Sequence, residues 1–109
     1  MTRGEIWSAA GGADYASKPR PVVIVQDDRF SETDSITVCP FTTDAGSMPL
    51  FRIAVTPTES NGLRAPSHLM ADKISTMPRE RLGRRIGRLD DETMLRLNRA
   101  MLVFLGLAG

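Results

Sequence analysis

Residues 18–28 read KPRPVVIVQDD, which holds Arg20 between two prolines directly ahead of an apolar run. Pro21 pushes the residue before it away from the α region toward extended backbone. A stiffened arginine at the mouth of a buried strand suits a site that grips an anion, and equally an ordinary loop-to-strand junction. Around it the chain supplies polar and cationic side chains: Lys18, Arg20, Thr42, Thr43, His68, Asp72 and Lys73. Such a set can act on a phosphodiester without a metal when the substrate is RNA, because the 2′-hydroxyl is then the nucleophile. The protein must supply a group that helps remove that proton, a group that assists the leaving 5′-oxygen, and donors for the charged phosphorane. Arginine is a planar donor fork for phosphate oxygens. It is a poor proton shuttle, since its pKa lies above about 12.

Other chemistries have less to build on. With one His and one Cys there is no paired metal-ligand spacing, so no metal site is expected. No Gly-rich phosphate loop stands between a strand and a helix, and no cofactor is expected. A Cys39–His68 nucleophile pair is formally available, but Cys39 falls inside a predicted strand, where an inert structural cysteine is the simpler reading. A lone histidine near a strand also reads as structural, although its titration range suits a proton relay.

These residues must be positioned by a short chain. Its 109 residues allow one domain over 1–109, and a domain of that size buries roughly 65% of its unfolded surface without staples. The single cysteine excludes an intrachain disulfide and fits a reducing, cytoplasmic setting. The first residues, MTRGEIWSAAGG, hold no signal-peptide run, and the longest apolar stretch, residues 101–105, is too short to span a bilayer. No membrane partner is expected. Charge is uneven: residues 1–78 carry 7 Lys/Arg and 9 Asp/Glu, while residues 79–109 carry 7 Arg and 4 Asp/Glu. Five of those arginines lie between Arg79 and Arg88, a cluster that can attract phosphates or form a solvated basic face.

The pattern predicts strands at 4–9, 21–26, 35–41, 51–56, 68–75 and 84–89. Pro40 marks an end, an edge or a bulge of the third. In 51–56, Phe51, Ile53 and Val55 share one face and Arg52, Ala54 and Thr56 the other. Residues 78–82 can make one helical turn. The last segment is a helix: Asp90 as N-cap, Asp91 and Glu92 in the first turn, a Leu89–Met94 staple, and Gly106 as the stop. Met94, Leu97, Met101 and Leu105 form a stripe that closes the sheet or helps form a dimer interface. Many short strands and one late helix make a β-rich α+β domain, a compact barrel. Its loops of about ten residues flank Arg20 and follow Thr42, lengths that are often functional in so small a domain.

The order of these pieces resembles the MazF/PemK family of toxin endoribonucleases. RGEIW, a ten-residue loop, RPVVIVQDD, then ITVCPFT, LMADKISTM and PRERLGRRIGRLDD before an amphipathic helix match it from Arg3 to Leu107. The resemblance implies an SH3-like barrel of the CcdB/MazF type, paired as a homodimer. It implies metal-independent cleavage of single-stranded RNA at short sequences through a 2′,3′-cyclic phosphate, and a cognate antitoxin that neutralises the toxin. By motif match the catalytic residues fall on Arg20 and Thr42, and Asp72 falls on an acidic position used in catalysis or RNA contact. Tyr15, Lys18, Thr43, Asp72 and Lys73 are the expected substrate-binding residues. The chain departs from the family where the loop reads DYASKPRP in place of Glu-Gln and glycines, so that Tyr15 and Lys18 offer stacking and charge there. It departs again at Asp72-Lys73 followed by Ser75-Thr76, where an arginine is missing. The alternatives are a CcdB-like toxin that poisons DNA gyrase through its C-terminal helix, and an inactive barrel that binds a partner chain.

Overall fold

The computed structural model describes residues 1–10, 18–44, 46 and 51–108. Its strands are β1 (Glu5–Ala9), β2 (Arg20–Ile24), β3 (Ser35–Thr42), β4 (Arg52–Val55), β5 (Ser67–Met70), β6 (Ser75–Pro78) and β7 (Leu82–Arg88), followed by helix α1 (Asp91–Phe104). They form an antiparallel sheet in the order β4-β5-β3-β2-β1-β7, with β6 paired to β3.

The apolar run after Arg20 is buried on both sides of this sheet, as its near-continuous pattern predicts. Val23 faces one core with Ile6, Cys39, Leu69 and Leu97, which α1 covers. Its neighbours Val22 and Ile24 face a second core with Ala9, Ile36, Val38 and Leu82. Successive side chains of a strand point to opposite faces, so adjacent valines serve different cores.

Two predicted strands are redrawn. β3 runs through Pro40 to Thr42, past the predicted end. Pro40 is tolerated because β3 changes partner around it: β6 pairs up to Val38 and β5 pairs from Phe41. The expected single strand at 68–75 is two strands around a 3-10 turn, Ala71–Lys73. Ala71 donates its N–H to Phe51 O at 2.9 Å, and Asp72 is ion-paired to Arg52. Those ties fasten the turn to the start of β4 and send the chain back along the other half of β3.

The N-terminal motif RGEIW is a fastening. The Arg3 side chain donates to Val25 O and to Asn98 on α1. Gly4 takes φ +93°, which a side chain would strain. The Glu5 carboxylate accepts from the Trp7 indole at 3.1 Å.

α1 begins where predicted: Asp90 Oδ1 accepts from Thr93 N–H at 2.8 Å. It ends in a Schellman turn, with Gly106 at φ +74° and Leu107 N–H donating to Leu102 O at 2.8 Å. Leu97 and Ala100 are buried, and Met94 and Met101 pack against the core. Leu105, predicted to extend that stripe, is 57% exposed. It occupies the C-cap, off the helical face, while Phe104 meets Phe51 edge to face at 5.1 Å.

Candidate functional site

The register of three strands assembles the site. β2 and β3 pair Val22 with Pro40, Val23 with Cys39 and Ile24 with Val38. The β2–β3 pairing ends at Val22 and Pro40, and Arg20 and Thr42 each stand two residues beyond that last pair, on the face that carries Val22. On the far side of β3, Thr42 pairs with His68, and His68 pairs with Ala54 of β4. Directly opposed residues in an antiparallel ladder project to the same face. Arg20, Thr42 and His68 therefore form one row across β2, β3 and β5, at the polar end of the face that carries Val22 and Val38.

Each member is prepared differently. Arg20 is exposed at the first position of β2. Thr42 is half-buried and its Oγ1 accepts from Asp44 N–H at 3.1 Å. That bond fixes the hydroxyl oxygen and leaves its O–H to donate outward. His68 is half-buried, and its Nδ1 is enclosed without a hydrogen-bond partner.

An ion pair borders the row. Arg52 pairs with Met70 in the β4–β5 ladder, two residues along from Ala54 and His68 and on the same face. Its Nε and Nη2 donate to Asp72 at 3.2 and 3.4 Å, with the two side chains 16% and 19% exposed. Asp72, expected at the site, thus stands beside it with its carboxylate held by Arg52. The sequence put Arg52 on the polar face of its strand through the alternation of residues 51–56, but only the β4–β5 pairing brings it to Asp72.

The other expected residues divide. Lys18 is exposed just before β2, and Lys73 is exposed in the turn with Asp72. Thr43, adjacent to Thr42, lines a different groove of about 950 Å³ with Pro19, Pro21, Ser67, Arg64, Arg84 and Arg85. Pro21 and Ser67 alternate with Arg20 and His68, so this groove opens on the opposite side of the sheet from the row. Tyr15 lies outside the described residues. Among the described residues, no three His, Cys, Asp or Glu side chains gather closely enough to hold a metal ion.

The arginine cluster at 79–88 is partly committed to the fold. Arg79 donates to the carbonyls of Ser31 and Thr33 and clamps the turn before β3. Arg85 donates to Glu5 at 3.0 Å. Arg81, Arg84 and Arg88 stay exposed. Cys39 is wholly buried, and burial pushes its thiol up to about 12, consistent with an inert structural residue.

Seven antiparallel strands closed by one C-terminal helix define a small β-rich α+β fold. Residues 2–105 match the family described as the PemK-like, MazF-like toxin of type II toxin–antitoxin systems. Over 109 residues, all of both chains, the sequence is 53% identical to a probable endoribonuclease MazF from Mycolicibacterium smegmatis. It is 32% identical to endoribonuclease MazF9 from Mycobacterium tuberculosis, with 98% of each chain covered. Among solved structures, the Mycobacterium tuberculosis toxin MazF-mt6 superposes with a TM-score of 0.81 at 28% identity, covering 96% of this chain and 99% of that one. A mycobacterial endoribonuclease solved with its cognate antitoxin shares the fold, with a TM-score of 0.82 at 24% identity over 100% of this chain and 98% of its own. The chain belongs to the PemK/MazF toxin family and is a toxin of the MazF endoribonuclease type.

Proposed function

We propose that the protein cuts single-stranded RNA at short sequences without a metal, by driving a 2′-hydroxyl onto the adjacent phosphate. The products are a 2′,3′-cyclic phosphate and a 5′-hydroxyl. The observation that supports this most is that Arg20 and Thr42 stand on the same face of adjacent strands, each two residues beyond the Val22–Pro40 pair. Arg20 offers its guanidinium fork to the non-bridging oxygens, and Thr42 donates its hydroxyl proton to the same phosphorane. Both groups are carried on strands, and Asp44 N–H already orients Thr42. Little reorganisation is then needed as charge builds on phosphorus, which is how preorganised donors lower a barrier. Lys18 and Lys73 add positive charge near the row for the flanking phosphates.

In this reading the toxin works in the cytoplasm as a homodimer and is held inactive by a cognate antitoxin, as the toxin–antitoxin class of its family supports. The exposed apolar end of α1, Leu102, Val103 and Leu105, offers a surface for such contacts. No helix of the described residues is long and apolar enough to cross a membrane.

The test is cleavage of a long single-stranded RNA in excess EDTA by wild type and Arg20→Ala, with cut sites and end groups mapped. Wild type should cut and leave cyclic or 3′-phosphate and 5′-hydroxyl ends. Removing one donor to the developing charge should lower the rate by roughly 10²–10³. Equal cleavage by both proteins would remove Arg20 from the chemistry. Toxicity in cells without RNA cleavage would favour a gyrase-directed toxin acting through α1.

A further inference from the structure

Only one buried side-chain polar atom among the described residues lacks a hydrogen-bond partner: Nδ1 of His68. Buried polar atoms in folded proteins are almost always paired, so such an orphan calls for an explanation. A histidine retained for hydrogen bonding would have that nitrogen engaged. One retained for packing alone would be better replaced by an apolar residue, which carries no desolvation cost. His68 fits neither description. It is the chain's single histidine, it stands directly across from Thr42, and it shares a row with Arg20.

The row otherwise lacks a proton acceptor. The Arg20 guanidinium offers donors and no acceptor. Thr42 Oγ1 already accepts from Asp44 N–H. The Asp72 carboxylate receives both donors of Arg52. By register, the charged residues on His68's face of the neighbouring strands are Arg52, diagonal to it on β4 and ion-paired to Asp72 in the turn after β5, and Arg20 on β2 beyond Thr42. β3 presents Thr42 and β4 presents Ala54, neither of which titrates.

Resting on the nuclease reading above, we propose that His68 is the proton acceptor of the cleavage reaction. With Nδ1 enclosed, Nε2 is the nitrogen that meets substrate. The neutral ring takes the proton of the 2′-hydroxyl while O2′ forms its bond to phosphorus. The P–O5′ bond breaks with its electron pair on O5′, which takes a proton from water and leaves as the 5′-hydroxyl. The imidazolium then returns its proton to solvent. Cross-strand neighbours lie about 5 Å apart at Cβ, so the ring can reach the ribose whose phosphate Arg20 and Thr42 hold.

The experiment measures single-turnover cleavage of an RNA oligonucleotide bearing one mapped cut site, from pH 5 to pH 9, for wild type, His68→Gln, His68→Asn and Arg20→Ala. Wild type should speed up as pH rises and then level off, the profile of a base that acts only when unprotonated. The two His68 variants should lose roughly 10²-fold or more at neutral pH and lose the rising limb, with melting temperature and RNA affinity kept. Arg20→Ala should be slow but keep the limb. The role of His68 is overturned if its variants cut at the wild-type rate, or cut more slowly with the limb intact, while Arg20→Ala is still impaired. A wild type that cuts no RNA overturns the nuclease reading and this one with it. Should the variants fold poorly, the wild-type imidazole Cε1–H resonance is followed on adding the oligonucleotide with a 2′-deoxy residue at the cut site. A resonance that shifts on binding supports the assignment, and one that does not move overturns it.

Discussion

Replacing Glu5 with glutamine removes one charge from the centre of the N-terminal fastening. Glu5 Oε1 accepts from Thr2 N–H at 2.8 Å and from the Trp7 indole at 3.1 Å, and Oε2 accepts from Arg85 at 3.0 Å. The N-terminal ammonium lies 3.9 Å from Oε1. Burial works to raise the carboxyl's pKa, but the Thr2 and Trp7 hydrogen bonds and the terminal charge prevail and bring it from 4.5 to about 2. A carboxyl whose folded pKa is lowered stabilises the native state above its unfolded pKa. That stability is lost as pH falls toward the folded value. The displacement corresponds to a ceiling of roughly 3 kcal/mol. The side chain is 15% exposed, and solvent screening brings the expected contribution to about 1–2 kcal/mol. Urea unfolding of wild type and Glu5→Gln, followed by the fluorescence of the single tryptophan, Trp7, reads this directly when midpoints rather than amplitudes are compared. The gap between the two proteins should be constant from pH 7 down to about 4.5 and close as pH approaches about 2. A gap as large at pH 2.5 as at pH 7 would refute the reasoning, because the loss would then come from shape rather than charge.

Two further outcomes follow from the fold. Asn61 is 4% exposed, accepts from the N–H groups of Thr58 and Leu63, and donates to Thr56 O. Asn61→Ala should cost about 2–4 kcal/mol and lower the melting temperature by about 10 °C or more in calorimetry, whereas an unchanged melting point would mean that the turn holds without it. Cys39, with its thiol pushed up to about 12 by burial, should react with iodoacetamide at pH 8 roughly a thousandfold more slowly in the native protein than in urea. Equal rates would show that the core around it opens readily.

The features legible in the sequence are those decided within a few residues. The start and stop of α1 were readable because an N-cap and a Schellman turn close their hydrogen bonds inside one helical turn. The double burial of Val22 and Val23 was readable because a pleat alternates every residue. The order of RGEIW and RPVVIVQDD pointed to the family before any contact was known. Tertiary structure decided what those motifs touch. It tied Arg3 to Asn98, Glu5 to Arg85, and Arg79 to the carbonyls of Ser31 and Thr33. Thr42, expected as catalytic, and Thr43, expected to bind substrate, fall on opposite sides of the sheet, because Thr42 ends a strand and Thr43 lines the groove beyond it. His68, a lone histidine in sequence, gained its place only through the β3–β5 register, and Asp72 gained its partner only through β4. The physical reason is common to all of these. Alternation tells which residues share a face of a strand, but which strand lies beside it, and at what register, is set by pairing between segments far apart in the chain.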